Sequence, residues 1–193
     1  VELARSDRDV RTVAVIGVEP GCGASFVARS LTQVAANPRA SVVLVDANLR
    51  RPSLATEMQL PYGPGLSDVL VDGPGPAALP LTRPGQGGFR VLGAGAAGAD
   101  LPALLGSGAL RKVIDLVPDA ELVVIDAPSV LEGPDALVIA AQCDAVILVV
   151  DAGRTRQRTL REAVTRLDRH ARILGTVLNR ADGGRERTRV PAA

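Results

Sequence analysis

The segment I-G-V-E-P-G-C-G-A-S-F, Ile16 to Phe26, carries the glycines, the turn proline and the hydroxyl of a phosphate-binding loop. Backbone N–H groups converge on anionic oxygens only where the chain approaches closely, and glycine permits that approach. Gly21 and Gly23 supply it, and a helix starting at Ser25 presents its positive end to the same anion. Set against G-x-x-x-x-G-K-[ST], Gly23 and Ser25 fall in register, and the Ser25 hydroxyl stands where such loops ligate Mg²⁺. The first glycine sits one residue early, at Gly17 instead of Val18. Where the pattern has lysine this chain has Ala24, and its only lysine, Lys112, belongs to a different expected helix.

Around this loop the chain alternates strand and helix patterns. Thr12–Ile16, Ser41–Val45, Phe89–Leu92, Leu122–Ile125, Ala145–Val150 and Ile173–Leu178 read as aliphatic strands. Ser25–Ala36 reads as a helix with Val27, Leu31 and Val34 on one stripe, and Thr159–Arg169 as another with Leu160, Val164 and Leu167. A helix is expected over Ser107–Leu116, with short helical pieces at Ser53–Leu60 and Gly65–Val71 inside a loop-rich region. This alternation predicts an α/β fold: a P-loop NTPase-like, doubly wound, mainly parallel sheet with helices on both faces. The expected division is an N-terminal extension over 1–11, one domain over 12–180 and a flexible tail over 181–193.

Composition agrees. With 193 residues, 47% of them apolar but only two Phe, one Tyr and no Trp, the core must be built from Val, Leu, Ile and Ala. Continuous aliphatic strands buried on both faces use those residues. A net charge of +1 gives no general basis for binding nucleic acid. Cys22 and Cys143 have no metal-ligand spacing and read as two reduced thiols in a cytosolic protein. Leu137–Val150, the longest apolar region, is interrupted by Gln142 and Asp144 and is too short to span a bilayer. No secretion signal opens the chain, and its first residue, Val1, leaves open that it is the soluble part of something larger.

Three expected strands end in Asp46, Asp126 and Asp151. Ligands of open parallel sheets collect at that carboxyl edge. A glycine turn that binds nothing would not need two acids beside it. A rival dinucleotide pattern, Gly21-Cys-Gly23-Ala-Ser-Phe26, puts bulky Phe26 where close helix–strand packing wants glycine. A second one, Gly93-Ala-Gly95-Ala-Ala-Gly98, lacks an acid-ended strand at the expected distance and reads as a flexible loop.

From about Thr12 to Arg180 the chain resembles the bacterial tyrosine kinases of capsule and exopolysaccharide assembly. The resemblance rests on P-G-C-G-A-S (Pro20–Ser25), V-V-L-V-D-A-N-L-R-R-P (Val42–Pro52), G-L-S-D-V-L (Gly65–Leu70), L-L-G-S (Leu104–Ser107), V-V-I-D-A-P (Val123–Pro128) and V-L-N-R (Val177–Arg180). It implies a nucleotide site of Pro20, Gly21, Cys22, Gly23, Ala24, Ser25 and Phe26, with Asn179 near the adenine ring. It implies Mg²⁺ on Ser25, Asp46 and Asp126, with Mg-ATP or Mg-ADP as the ligand.

The departures fall where the chemistry is. The family lysine is Ala24, the small hydroxyl residue after its Ser is Phe26, and the second acid of its D-x-D motif is Asn48. The family's C-terminal tyrosine cluster is absent, Tyr62 being alone in a loop. Ala24, Asp46 and Asn48 thus read as vestiges of a catalytic set, and the chain as a pseudokinase that binds nucleotide weakly or not at all. Glu2, Arg5 and Arg8 match the family's ring-assembly spacing but also fit a solvated terminus. The expected partner is the cytoplasmic segment of a membrane polysaccharide co-polymerase, which recruits a cytoplasmic protein to the inner face of the membrane; a homo-oligomer is a second expectation. The alternatives are an active tyrosine kinase or ATPase with a substitute cation, such as Arg50, and a membrane-cycling positioning ATPase. The tail from Ala181 has no apolar stripe to support the last.

Overall fold

The aliphatic runs become the centre of the sheet. In a computed structural model that describes residues 10–37, 40–72, 79–84, 88–96, 104–106 and 108–181, the elements follow the predicted order. They are β1 (Thr12–Gly17), α1 (Ala24–Ala35), β2 (Val42–Asp46), α2 (Leu54–Glu57), α3 (Leu66–Asp72), β3 (Leu81–Thr82) and β4 (Phe89–Leu92). After these come α4 (Ala109–Asp115), β5 (Leu122–Ala127), α5 (Asp135–Ala140), β6 (Ala145–Asp151), α6 (Gln157–Leu167) and β7 (Ile173–Asn179). The ring-assembly spacing at Glu2, Arg5 and Arg8 and the tail beyond Ala181 lie outside the described residues.

Among the described residues the sheet has seven strands in the order β3-β4-β2-β5-β1-β6-β7. All pairings are parallel except β3 with β4. Every residue of β1 and β2 is buried. Alternate residues of β1 face opposite layers, as the strand period of two requires. Ala14 and Ile16 join Leu110, Val113, Ile139, Ala163 and Leu167 on one side, which α4, α5 and α6 cover. Val15 joins Leu44, Val124 and Val149 on the other, under Ala28 and Ala35 of α1 and Leu54 of α2. The doubly wound expectation therefore holds, with helices on both faces.

Several details differ from the sequence reading. In α1 the buried positions are Ala28, Thr32 and Ala35, while Val34 is 77% exposed. Small residues let the helix approach the sheet closely; Val27 and Leu31 of the expected stripe stay half-buried against the core, and Val34 alone of the three turns to solvent. In α6, Ala163 and Leu167 are buried and Val164 lies at the rim for the same reason. The helix α5 was hidden inside the apolar stretch from Leu137, which divides between a helix and β6 at Gln142–Asp144. The helix expected from Ser107 is described from Ala109.

From β1 the chain crosses to β2 on one side, whereas β6 and β7 are laid down on the other. The crevice at such a reversal, on the carboxyl edge, is where an α/β sheet accepts ligands. The opposite edge is closed by Asp144, which accepts the Arg11 and Thr12 N–H groups at 3.0 and 2.8 Å while its own N–H donates to Thr12 Oγ1 at 2.7 Å.

Candidate functional site

The β1–α1 connection opens into a cavity of about 370 Å³. Pro20, Gly21, Cys22, Gly23, Ala24, Ser25 and Phe26 line it, together with Asn48, Arg51, Ser53, Glu57, Ala127, Ser129, Glu132 and Arg180. Gly21 and Gly23 take φ of +78° and +90°, a left-handed conformation that turns their N–H groups and strains any other residue. The early glycine has its own reason: a methyl group on Gly17 would come 2.5 Å from Cys22 Sγ. Gly17 makes room for the loop to fold back on the strand, and Val18 is buried with its N–H on the Val149 carbonyl at 2.9 Å. Cys22 is itself buried, which pushes its thiol above the ordinary range.

The helix α1 begins at Ala24, with Gly23 before it and no side chain capping its first N–H groups. Those donors face the cavity, where an anion can satisfy them. Phe26 is 53% exposed and lies under the Arg29 guanidinium at 5.7 Å. It takes no part in packing of α1 on the sheet, where Ala28 is the buried contact.

Two buried carboxylates stand behind the loop. Asp46 ends β2, Asp126 lies near the end of β5, and the two are register partners on adjacent parallel strands. Asp46 accepts the Asn48 and Leu54 N–H groups at 3.2 and 3.4 Å. Asp126 is fully buried and neither of its oxygens has a hydrogen-bond partner. Burial raises Asp46 to about 7 and Asp126 to about 8; the charge of Glu57 adds to both shifts, and that of Asp46 adds to the shift of Asp126. The Ser25 hydroxyl is close enough to oppose the shift of Asp126 but makes no hydrogen bond with it. A buried acid with both oxygens orphaned is an unmet demand for a cation. Mg²⁺ fits, because it takes one or two carboxylates, keeps several waters and completes its shell on phosphate. Among the described residues no group of three or more His, Cys, Asp or Glu could enclose a metal, so a phosphate-assisted site is the kind these residues can form. Ser25, Asp46 and Asp126 are the residues that would hold it. Asn48 Oδ1 is also buried without a partner, in the place of the family's second acid.

The remaining predicted residues are placed otherwise. Asn179, at the end of β7, donates its Nδ2 to the Cys22 carbonyl at 2.9 Å, so in this structure it braces the loop. Arg50, the proposed substitute cation, forms an ion pair with buried Asp135 and does not line the cavity. Its neighbour Arg51 does, paired with Glu132 at 3.3 Å. Asp151 is held by Arg180 at 2.6 Å and by the Gly153 N–H at 3.1 Å, with its pKa lowered by that arginine. Arg51, Ser53, Glu57, Ser129, Glu132 and Arg180 were not found from sequence. The signal for Arg51 was present in L-R-R-P, but adjacent residues on a turn point apart, and spacing does not say which one faces the cavity.

The second glycine pattern is not a free loop. Gly93 and Ala94 accept hydrogen bonds from the Leu66 and Ser67 N–H groups at 2.8 and 2.9 Å, and Asp68 receives the N–H groups of Gly65 and Ala96 at 2.7 and 3.2 Å. It anchors α3, the G-L-S-D-V-L segment.

None of the protein-family models matches the sequence. The chain is similar to the tyrosine-protein kinase YwqD of Bacillus subtilis, at 26% identity over 93% of this chain and 76% of that one. It spans about a quarter of several other curated relatives, and 22% of the succinoglycan biosynthesis transport protein ExoP of Rhizobium meliloti, with 26% identity. Among solved structures, the kinase domain of VpsO superposes with a TM-score of 0.81 and 30% identity, over 93% of this chain and 89% of that one. The kinase domain of the Escherichia coli tyrosine kinase Etk gives a TM-score of 0.85 and 25% identity, over 92% and 70%. A buried acid pair behind a glycine cradle, on a sheet shared with these kinase domains, places this chain in the bacterial tyrosine kinase family of P-loop proteins.

Proposed function

We propose that this chain is a kinase-like domain of exopolysaccharide or capsule biosynthesis and export that recognises a nucleotide without transferring its phosphate. One observation carries the reading: the cradle keeps its turned glycines, its open helix end and an orphaned buried acid, while Ala24 stands where the phosphate-facing lysine belongs. A hydrogen bond to a charged group contributes roughly 1.5–3 kcal/mol, so its loss weakens nucleotide binding by roughly one or two decades. Transition-state cations count for more, about 10³–10⁵ in rate for an arginine finger. Binding survives such a loss better than transfer does. Asn48 adds to the deficit, since an amide brings no charge to a metal.

In this reading the domain acts as a scaffold or regulator for the cytoplasmic segment of a membrane co-polymerase. The relative named as a succinoglycan biosynthesis transport protein, four to five times longer than the matched region, supports a role beside a transport component. Among the described residues no helix is long and apolar enough to cross a membrane. In this reading the partner recruits the domain to the inner membrane face. Co-purification with the co-polymerase segment checks the partnership, and sedimentation checks whether the chain self-assembles. Titration calorimetry with Mg-ATP should show weak binding. Labelled ATP should give no phosphotyrosine even when the partner is present, and robust autophosphorylation would refute the proposal.

The second reading, an active tyrosine kinase or ATPase with a substitute cation, draws on Arg51 and Arg180, both of which line the cavity. The phosphotyrosine assay separates the two.

A further inference from the structure

Three arginines stand at or beside the cradle in ion pairs, and the pairs differ in how readily they release their cation. Arg50 is bound to Asp135, whose side chain is 4% exposed and whose other oxygen already lacks a partner. Arg180 is bound at 2.6 Å to Asp151, 7% exposed. Taking either arginine away would strand a buried carboxylate, which is strongly unfavourable. Arg51 differs. Its side chain is 70% exposed, its contact with Glu132, itself 15% exposed, is long at 3.3 Å, and both residues line the cavity with Ala24 and Ser25. With its guanidinium largely in solvent and its contact long, Arg51 is the most readily exchanged of the three. A guanidinium stays charged at any physiological pH and grips phosphate through two parallel N–H groups, so a polyphosphate competes well for it.

We propose that Arg51 is the cation this cradle uses in place of the absent loop lysine, held on Glu132 in the free cavity and taken over by a bound polyphosphate. The proposal rests on the nucleotide reading above and adds a regulatory consequence. Arg51 belongs to the β2–α2 connection and Glu132 to the β5–α5 connection. Nucleotide binding therefore breaks a tie between two surface connections on the carboxyl edge, where a partner can sense it.

The test is titration calorimetry of the whole chain with Mg-ATP, Mg-ADP and inorganic pyrophosphate. Arg51→Gln should weaken Mg-ATP about ten-fold, and Arg51→Lys, which keeps the charge but loses the fork, should fall between it and the parent. Glu132→Gln should strengthen binding several-fold by removing the competitor, and that gain should vanish in the double variant with Arg51→Gln. Because Arg51 is exposed, Arg51→Gln and Arg51→Lys should keep the parent's melting temperature. Equal affinities of the parent and Arg51→Gln overturn the proposal. So does a parent that binds nothing while Ala24→Lys binds, a result that leaves the nucleotide reading of the cavity standing. If Ala24→Lys binds nothing either, the cradle itself is misread and this inference falls with it.

Discussion

The connection after β1 and the connection after β4 leave the same carboxyl edge of the sheet, and both are rich in glycine with a residue at positive φ. Gly93–Ala96 spends its backbone groups on the start of α3, through the Leu66 and Ser67 N–H groups and the Asp68 carboxylate. Gly17–Gly23 is tied down from behind, by Val149 and Asn179, and leaves its turned N–H groups and the end of α1 facing an open cavity. Glycine in a loop thus marks close approach of something, and only the surroundings say whether that something is the protein's own backbone or a ligand. The orphaned Asp126 behind the first loop points to a ligand there. Among the described residues the second loop has no such neighbour; its nearby carboxylate, Asp68, accepts the Gly65 and Ala96 N–H groups.

The largest effect should come from the closed loop. A methyl group at Gly65 would meet the Gly93 carbonyl and the Gly95 N at 2.3 Å, and backbone cannot swing aside. Gly65→Ala should cost about 3 kcal/mol, at the upper end for ordinary substitutions, read as a drop in denaturant midpoint. Nucleotide affinity per folded molecule should be unchanged. A loss of binding in the folded fraction would show that the two loops are not independent.

The open loop should respond in the opposite way. Ala24→Lys should raise Mg-ATP affinity by roughly ten- to hundred-fold, measured calorimetrically, with little change in stability. An unaltered affinity would mean the cradle is not aimed at phosphate.

A third measurement concerns pH. Burial holds Asp46 at about 7 and Asp126 at about 8, against an ordinary 3.8. Between those limits the native state binds more protons than the unfolded chain, so stability should fall as pH rises from about 4 to 8. The melting temperature without Mg²⁺ should therefore be higher at pH 5 than at pH 8. Mg²⁺ with ADP should recover part of the loss at pH 8, and Asp126→Asn should flatten the profile. A melting temperature that rises steadily over this range would contradict the buried-acid account.

The smallest effect is expected at Asn179, whose amide braces Cys22. Asn179→Ala should cost about 1 kcal/mol for one hydrogen bond and speed amide exchange in the β1–α1 connection, leaving exchange at Gly93–Ala96 untouched.

Much of this was readable along the chain. The aliphatic runs, their acid ends and the glycine spacing fix strands, parallel order and the edge where the site lies, because period, burial and turn chemistry are local properties. That Asp46 and Asp126 end neighbouring strands, behind the loop that carries Ser25, was legible for that reason. The rest depended on neighbours far apart in sequence. That Arg51 faces the cavity while Arg50 turns to Asp135, that Asn179 closes on Cys22, and that one glycine loop is open while the other is filled are outcomes of how distant segments pack. A side chain's direction and its partner are settled by contacts across the fold, and no spacing in the chain encodes them.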